Sequence, residues 1–190
     1  SFMFADVRHK LHACCHGAHA MIEGLRNLVA AHDITAQNLA ALSIRVNPRW
    51  LKVCDIKAPR TGLEVKFSYV FLAAMVLHHI DTAAYQSYDD SICGDAGLIA
   101  TASKITVIGD EAISDGAVNV SADTQTGVRH TTDFDLMDPI DLSVLGPRLV
   151  AKASVLIGPA RAEKIWESMD DLDSMPAAQM AGCLQPLQSA

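Results

Sequence analysis

One uninterrupted apolar segment, residues 70–77, constrains the fold of this 190-residue chain more than any other feature. It is too short to cross a bilayer, which takes roughly 20 residues. Thr61 is a suitable helix N-cap with Glu64 as its capping-box partner, so the pattern predicts a helix from Thr61 to about His79. Because apolar residues surround this helix on most sides from Phe67 onward, we expect it at the centre of the core.

Amphipathic helices are predicted on both sides of this central segment. Over residues 13–31, apolar side chains recur at three- and four-residue spacings. The opposite, polar face of this helix carries Glu23, Arg26 and Asn27. Other helices are predicted over residues 82–87 and 95–103, from Asp141 or Ser143 to a break at Gly158-Pro159, from there to about Met169, and weakly over 177–184.

Four short segments alternate apolar and polar side chains, as strands with one buried face do. They are residues 42–46, 104–108, 117–122 and 127–133. Turn-forming residues separate the last three of them. The sequence therefore predicts an α+β fold, in which a small, mostly antiparallel sheet of about four strands packs with several helices, and the C-terminal third is helical.

Charge and cysteine content exclude several classes of protein. The formal net charge is −7 and no basic stripe is present, which argues against a nucleic-acid partner. We find neither a signal peptide nor an apolar segment long enough for a membrane span, so we expect no membrane partner. The five cysteines form no Cys-x-x-Cys pair and their number is odd, which favours free thiols in a reducing cytoplasm.

The densest cluster of reactive side chains is segment 10–19, which reads Lys-Leu-His-Ala-Cys-Cys-His-Gly-Ala-His. If a helix begins near Ala13, its unpaired backbone N–H groups and positive dipole end lie beside Lys10. Such a place suits a carboxylate, which Lys10 would clamp. The histidines that would contact the bound acid or move protons near neutral pH are His12, His16 and His19.

Three plainer interpretations of this segment stay open. A histidine has a structural role more often than a catalytic one, and the two adjacent cysteines suit small apolar gaps. A zinc site is the third, because pairs at helical four-residue spacing put ligands on one face. These pairs are His12/His16 and Cys15/His19. No further Cys/His cluster completes the ligand set, apart from a weak pairing with His78-His79.

A second candidate site is residues 59–64. Arg60 directly precedes the predicted helix start at Thr61, where it would join an anion site. The alternative is an ordinary capping box of Thr61 with Glu64, beside a solvated arginine.

Both segments resemble sequence blocks of the MmgE/PrpD family, whose members include 2-methylcitrate dehydratase, cis-aconitate decarboxylase and iminodisuccinate epimerase. Residues 10–19 are similar to the family's Lys-x-x-Pro/Ala-x-Cys/His-x-x-x-His block, which opens a helix. Residues 59–68 are similar to its Pro-x-Thr-x-x-Glu-Ala-Lys-Phe-Ser segment, which a long apolar helix follows. Weaker matches at Asp115-Gly116 and Lys152 extend the resemblance over nearly the whole chain.

The resemblance implies that residues 1–190 are the C-terminal α+β domain of such a protein. It also implies an all-helical domain outside this sequence, an active site between the two domains, and a homodimer. The helices from about 143 to 190 would pack either on the predicted sheet or on the helical domain. The implied chemistry needs no metal and no cofactor. The implied enzyme is a hydro-lyase like that of propionate catabolism, or an isomerase. It would abstract a proton next to a carboxylate of a small di- or tricarboxylic acid. The chain alone would be inactive.

Residues and resemblance together predict catalytic roles for Lys10, Cys15, His16 and His19, and substrate binding by His12, Arg60 and Thr61. By resemblance, Lys10 matches an active-site lysine, while Cys15 stands where the decarboxylases place a catalytic histidine. Residues 54–58 also lack the active-site tyrosine of the decarboxylases. These departures argue against decarboxylation of cis-aconitate and leave hydration, dehydration and epimerisation open. The competing hypothesis is a non-catalytic oligomerisation or ligand-binding domain.

Overall fold

The computed structural model describes residues 8–185, and the chain divides into two compact units, Ser1–Pro139 and Ile140–Ala190. The helices of the first unit are α1 (His19–His32), α2 (Leu51–Cys54), α3 (Gly62–Val65), α4 (Tyr69–Leu77) and α5 (Ala96–Ala102). Its strands are β1 (Leu39–Val46), β2 (Ile105–Gly109), β3 (Ala117–Thr124) and β4 (Arg129–Asp135). Short 3-10 turns lie at His16–Ala18, Pro48–Trp50, Tyr85–Tyr88 and Asp90–Gly94.

The strands form one sheet in the order β2-β1-β3-β4. β1 pairs in parallel with β2, and it pairs antiparallel with β3, which in turn pairs antiparallel with β4. The predicted α+β class with a small, mostly antiparallel sheet is confirmed. The parallel β1–β2 pair arises because a long crossover containing α2 to α5 separates these strands, and only such a crossover returns the chain in the same direction.

The core lies between one face of the sheet and helices α1 and α4. Every residue of α4 is buried, in agreement with the prediction from its apolar surface. α1 packs against β3, β4 and α4, with Met21, Ile22 and Leu25 fully buried. From the sheet, Ile44 and Val120 lie opposite each other and are both inaccessible to solvent. The first unit is therefore built around a central helix, as the apolar segment required.

The predicted single helix over 61–79 is wrong in one respect, because it divides into α3 and α4. Ser68, which is buried, ends the break by accepting a hydrogen bond from the backbone N–H of Phe71 (3.3 Å) and so caps α4. The backbone carbonyls of Lys66 and Phe67 accept long-range bonds from Cys15 (3.1 Å) and Ile56 (3.2 Å). The helix breaks here because these carbonyls bond to other segments of the chain.

The predicted start of the first helix near Ala13 is also wrong, since α1 begins at His19 after the 3-10 turn. The backbone N–H of Ala13 donates to the Thr82 carbonyl (2.9 Å), and that of Cys15 donates to the Lys66 carbonyl. Residues 11–15 thus lie as an irregular segment on the first unit. The start of this helix therefore depends on two carbonyl groups that are distant in sequence, and no local sequence pattern predicts these bonds.

The second unit contains α6 (Leu142–Ile157), α7 (Pro159–Glu167) and α8 (Ala177–Leu184). Of the two predicted starts, Asp141 is the one that caps α6, accepting from the backbone N–H of Ser143 (2.7 Å). As predicted, the helix ends at Gly158, whose φ of 86° separates α6 from α7. The indole of Trp166 packs on Gly146, where a Cβ atom would lie 2.8 Å from the ring. A span of the bilayer would need a longer apolar helix than any in the described part of the chain.

We predict that Gly62→Ala destabilises the first unit by about 3 kcal/mol, because a Cβ atom on Gly62 would overlap the backbone carbonyl of Tyr88. Urea unfolding measures the loss of free energy. The matched control is Gly94→Ala, since a Cβ atom at Gly94 meets nothing within 4 Å and should change stability by less than about 0.5 kcal/mol. Equal stability of the two variants would contradict the packing described at Gly62.

Candidate active site

Three imidazole rings come together where segment 10–19 meets α1. The ring centroids of His12 and His19 lie 5.1 Å apart, and those of His16 and His19 lie 5.2 Å apart. His12 and His19 are buried, whereas His16 is only partly buried. We refer to His12, His19 and His16, in that spatial order, as the histidine row. It leads from the interior of the first unit to its surface.

The inner end of the histidine row is fixed at both ring nitrogens of His12. Its Nε2 lies 2.8 Å from the Oε1 atom of Glu23, and its Nδ1 lies 2.8 Å from the hydroxyl of Thr82. All three residues are buried. Because a carboxylate oxygen accepts, Nε2 carries the proton of this bond. With both nitrogens engaged, the ring of His12 cannot rotate without breaking a buried hydrogen bond.

Glu23 and Thr82 are residues of this cluster that the sequence did not reveal. Glu23 was expected on the polar face of the first helix, but only 7% of its surface is exposed. It lies four residues after His19, so it shares the helix face that carries this histidine. That spacing is the signal that would have identified it. Thr82 is far away in sequence, and no local pattern connects it with His12.

Large aromatic side chains hold the backbone of this segment. The hydroxyl of Tyr69 donates to the carbonyl oxygen of Gly17 (2.8 Å), and that of Tyr88 donates to the carbonyl oxygen of Thr82 (2.9 Å). The indole of Trp50 lies so close to Gly17 that a Cβ atom there would overlap it. The contacts of Tyr69 and Trp50 with Gly17 position the 3-10 turn that carries His16.

His16 stands at the outer end of the histidine row, near the exposed Lys10. Burial of the imidazole, followed by the positive charge of Lys10, lowers the pKa of His16 below its usual value. Both effects disfavour the protonated ring. The ring of His16 is therefore mainly neutral near pH 7 and can accept a proton.

The cysteines beside the row differ in their surroundings. Cys14 and Cys54 are buried, whereas Cys15 is partly exposed. Burial raises the pKa of the Cys54 thiol, and a hydrogen bond with Cys15 raises it further. Cys54 is thus a neutral thiol in the core.

Residues 60–64 form a separate arrangement. The hydroxyl of Thr61 accepts from the backbone N–H of Glu64 (3.2 Å), and Glu64 accepts from the backbone N–H of Arg60 (2.7 Å). The backbone N–H of Gly62 donates to the carboxylate of Asp90 (2.7 Å). The start of α3 is therefore already occupied by a carboxylate from the protein.

The Arg60 side chain is 86% exposed and lies 3.6 Å from Glu64. The geometry is that of a cap with a solvated arginine. The structure thus brings Lys10, His12, Cys15, His16 and His19 into one region, while the contacts of Arg60 and Thr61 lie within their own cap. Within residues 8–185, no group of three or more His, Cys, Asp or Glu side chains is arranged to hold a metal ion.

A comparison with known protein families identifies the family of this chain. A family model described as the MmgE/PrpD C-terminal domain matches residues 12–137, which is more than half of the chain and falls within the first unit. The match includes the histidine row, Arg60 and Thr61, and it begins two residues after Lys10. No curated protein matches the chain.

We predict that Glu23→Ala lowers the free energy of unfolding by about 3 kcal/mol, because it leaves a buried donor of His12 without its acceptor. Urea unfolding tests this, with the exposed Glu111→Ala as the matched control, for which we expect a change below about 0.5 kcal/mol. Similar losses in the two variants would show that the His12–Glu23 bond contributes nothing specific.

We predict that Lys10→Ala raises the pKa of His16, because the variant removes a positive charge that opposes protonation of the ring. Burial, the larger cause, remains, so the pKa should return only part of the way to its usual value. An NMR titration of the His16 ring protons measures the change, with Lys52→Ala as the exposed control. An unchanged pKa in Lys10→Ala would remove the electrostatic link between the two residues.

Proposed function

The chain belongs to the MmgE/PrpD family, through the family's C-terminal domain, and on this basis we propose that it supplies half of the active site of a lyase or isomerase. The substrate in this proposal is a small di- or tricarboxylic acid. The observation that carries the proposal is the histidine row, which places a mainly neutral imidazole, His16, beside the exposed ammonium group of Lys10.

In the proposed reaction, His16 removes the proton next to a substrate carboxylate. A general base at this step contributes roughly 10²- to 10⁴-fold to the rate. Lys10 binds that carboxylate and stabilises the enolate-like charge that develops as the C–H bond breaks. In a dehydration, this charge forms a carbon–carbon double bond as the C–O bond on the neighbouring carbon breaks. The departing hydroxyl group takes up the proton held by the histidines and leaves as water. His19 passes the proton along or orients His16, since its ring lies between those of His16 and His12.

The inner residues of the site act through position. The bonds of His12 to Glu23 and Thr82 fix the inner end of the row. The ring of His19 lies against that of His12, and the ring of His16 lies against that of His19. We therefore assign His12 to the support of the site, with substrate contact made farther out. Pre-organised donors and bases of this kind cost no rearrangement during the reaction.

Cys15 limits the choice among family reactions. It stands where the decarboxylases of the family resemblance place a histidine, and a thiol offers no basic ring nitrogen there. We propose hydration and dehydration of an acid such as 2-methylcitrate as the reaction, with epimerisation of a dicarboxylate as the second possibility. Arg60 attracts the anionic substrate from its exposed position, and Thr61 contributes through the cap that it provides.

The other half of the site is proposed to come from the family's all-helical domain, and the complete enzyme to be a homodimer. Exposed apolar side chains of the second unit suit such a partner, because apolar surface gains free energy when it is covered. The most exposed of them are Leu142, Val144, Leu156 and Leu172. We also propose a reducing compartment such as the cytoplasm, because an odd number of cysteines without a Cys-x-x-Cys pair favours free thiols.

Activity is tested by combining this chain with a helical MmgE/PrpD domain and measuring dehydration of 2-methylcitrate and related acids. We expect activity in the complex and none in the chain alone. Lys10→Ala and His16→Gln should each lower kcat/KM at least about 100-fold, whereas Lys52→Ala, at an exposed position, should leave it unchanged. Full activity of Lys10→Ala would refute its role, and an inactive complex would favour a non-catalytic, ligand-binding domain.

A further inference from the structure

A separate cleft of about 440 Å³ opens on the first unit, between the C-terminal half of α1 and the end of α4. Val29, Val76 and Ile80 give it an apolar wall. The volume is within the range of small-molecule sites in proteins. The residues of the proposed proton-transfer site, Lys10 and His16, do not line it. The cleft is thus open to a ligand of its own.

Two charged residues, Asp81 and Arg26, lie at the rim of this cleft, and they differ in the contacts that they make. Asp81 accepts a hydrogen bond from the backbone N–H of Ala83 (2.8 Å), which fixes its carboxylate in a turn. Arg26 is exposed, and its guanidinium has no hydrogen bond or ion pair to any residue that the structure describes. A guanidinium beside apolar wall residues is suited to an anion that also has an apolar part.

His79 provides an independent sign that the cleft has a function. It follows the end of α4 with φ 57°, in the left-handed region, where its N–H bonds to Val76 (3.0 Å) and that of Ile80 bonds to Met75 (2.9 Å). This is a Schellman motif, and glycine is the residue that holds its left-handed position without strain. A histidine kept there at a cost to stability, and lining a cleft, points to a role for its side chain.

We propose that this cleft binds a small organic carboxylate with a short apolar chain. The carboxylate lies between the guanidinium of Arg26 and the imidazole of His79, and the apolar chain lies on Val76 and Ile80. Thr82 lines the cleft but does not bind the ligand through its hydroxyl, because that hydroxyl already bonds to His12. This site does not depend on the proposed reaction, since neither Lys10 nor His16 takes part in it.

The binding test uses butyrate as the probe and butyramide, its uncharged analogue, as the matched ligand control. In an NMR titration of the chain, we expect saturable shifts at Arg26, Val76 and Ile80 with a Kd on the order of 1 mM, since the ligand is small. Butyramide should bind at least about fivefold more weakly because it lacks the charge. Equal binding of both ligands, or shifts that never saturate, would overturn the proposal.

Variants make the test specific. Arg26→Gln should weaken butyrate binding at least about fivefold, and Asp81→Asn, which removes a repelling charge but keeps the turn, should strengthen it about twofold. Arg129→Gln is the control, because Arg129 is paired with Asp123 on the sheet. Lys10→Ala should also retain the affinity, and a loss there would assign the bound acid to the histidine row instead.

His79→Gly separates function from folding, because its two expected effects have opposite signs. Glycine relieves the left-handed strain, so Tm should rise, while the loss of the imidazole should weaken butyrate binding at least about threefold. A higher Tm with unchanged affinity would show that His79 is only a strained helix end, and the proposal would fail.

Discussion

The buried hydrogen bond between His12 and Glu23 is the interaction on which the candidate site depends. A carboxylate and an imidazole that are both removed from water must satisfy each other, because an unpaired polar group in the interior costs several kcal/mol. Glu23 belongs to α1, whereas His12 belongs to the irregular segment before it. Their bond therefore determines how this segment lies on the helix, and the positions of His16 and Lys10 follow from it.

This arrangement needs backbone partners far away in sequence. The carbonyl of Thr82 accepts from Ala13, and the carbonyl of Lys66 accepts from Cys15. The Lys66 carbonyl makes this bond at the break between α3 and α4, just before the Ser68 cap. Breaks and caps that look like local irregularities thus hold the segment in place. In this account, the fold of the first unit and the geometry of the histidine row have the same cause.

Local signals in the sequence were sufficient for most of the fold. The strands, the central buried helix and the break at Gly158 follow from periodicity and turn chemistry, which neighbouring residues determine. The same signals failed at Ala13, where the helix start depends on a carbonyl of Thr82. They also failed at Glu23, whose polar character suggested an exposed face, although a buried hydrogen-bond partner satisfies its carboxyl group. The reactive segment 10–19 could be recognised from the sequence because its residues are neighbours in the chain. Glu23 and Thr82, which hold it in place, could not be recognised in this way.

In the proposed enzyme, the histidine row presents His16 and Lys10 to a substrate carboxylate. The most direct test of this proposal is a crystal structure of this chain with a helical MmgE/PrpD domain and an unreactive tricarboxylate. We expect one carboxylate within about 3 Å of the Lys10 Nζ atom, with the ring of His16 facing the adjacent carbon. A tricarboxylate bound elsewhere, with Lys10 and His16 still exposed to solvent, would contradict the account.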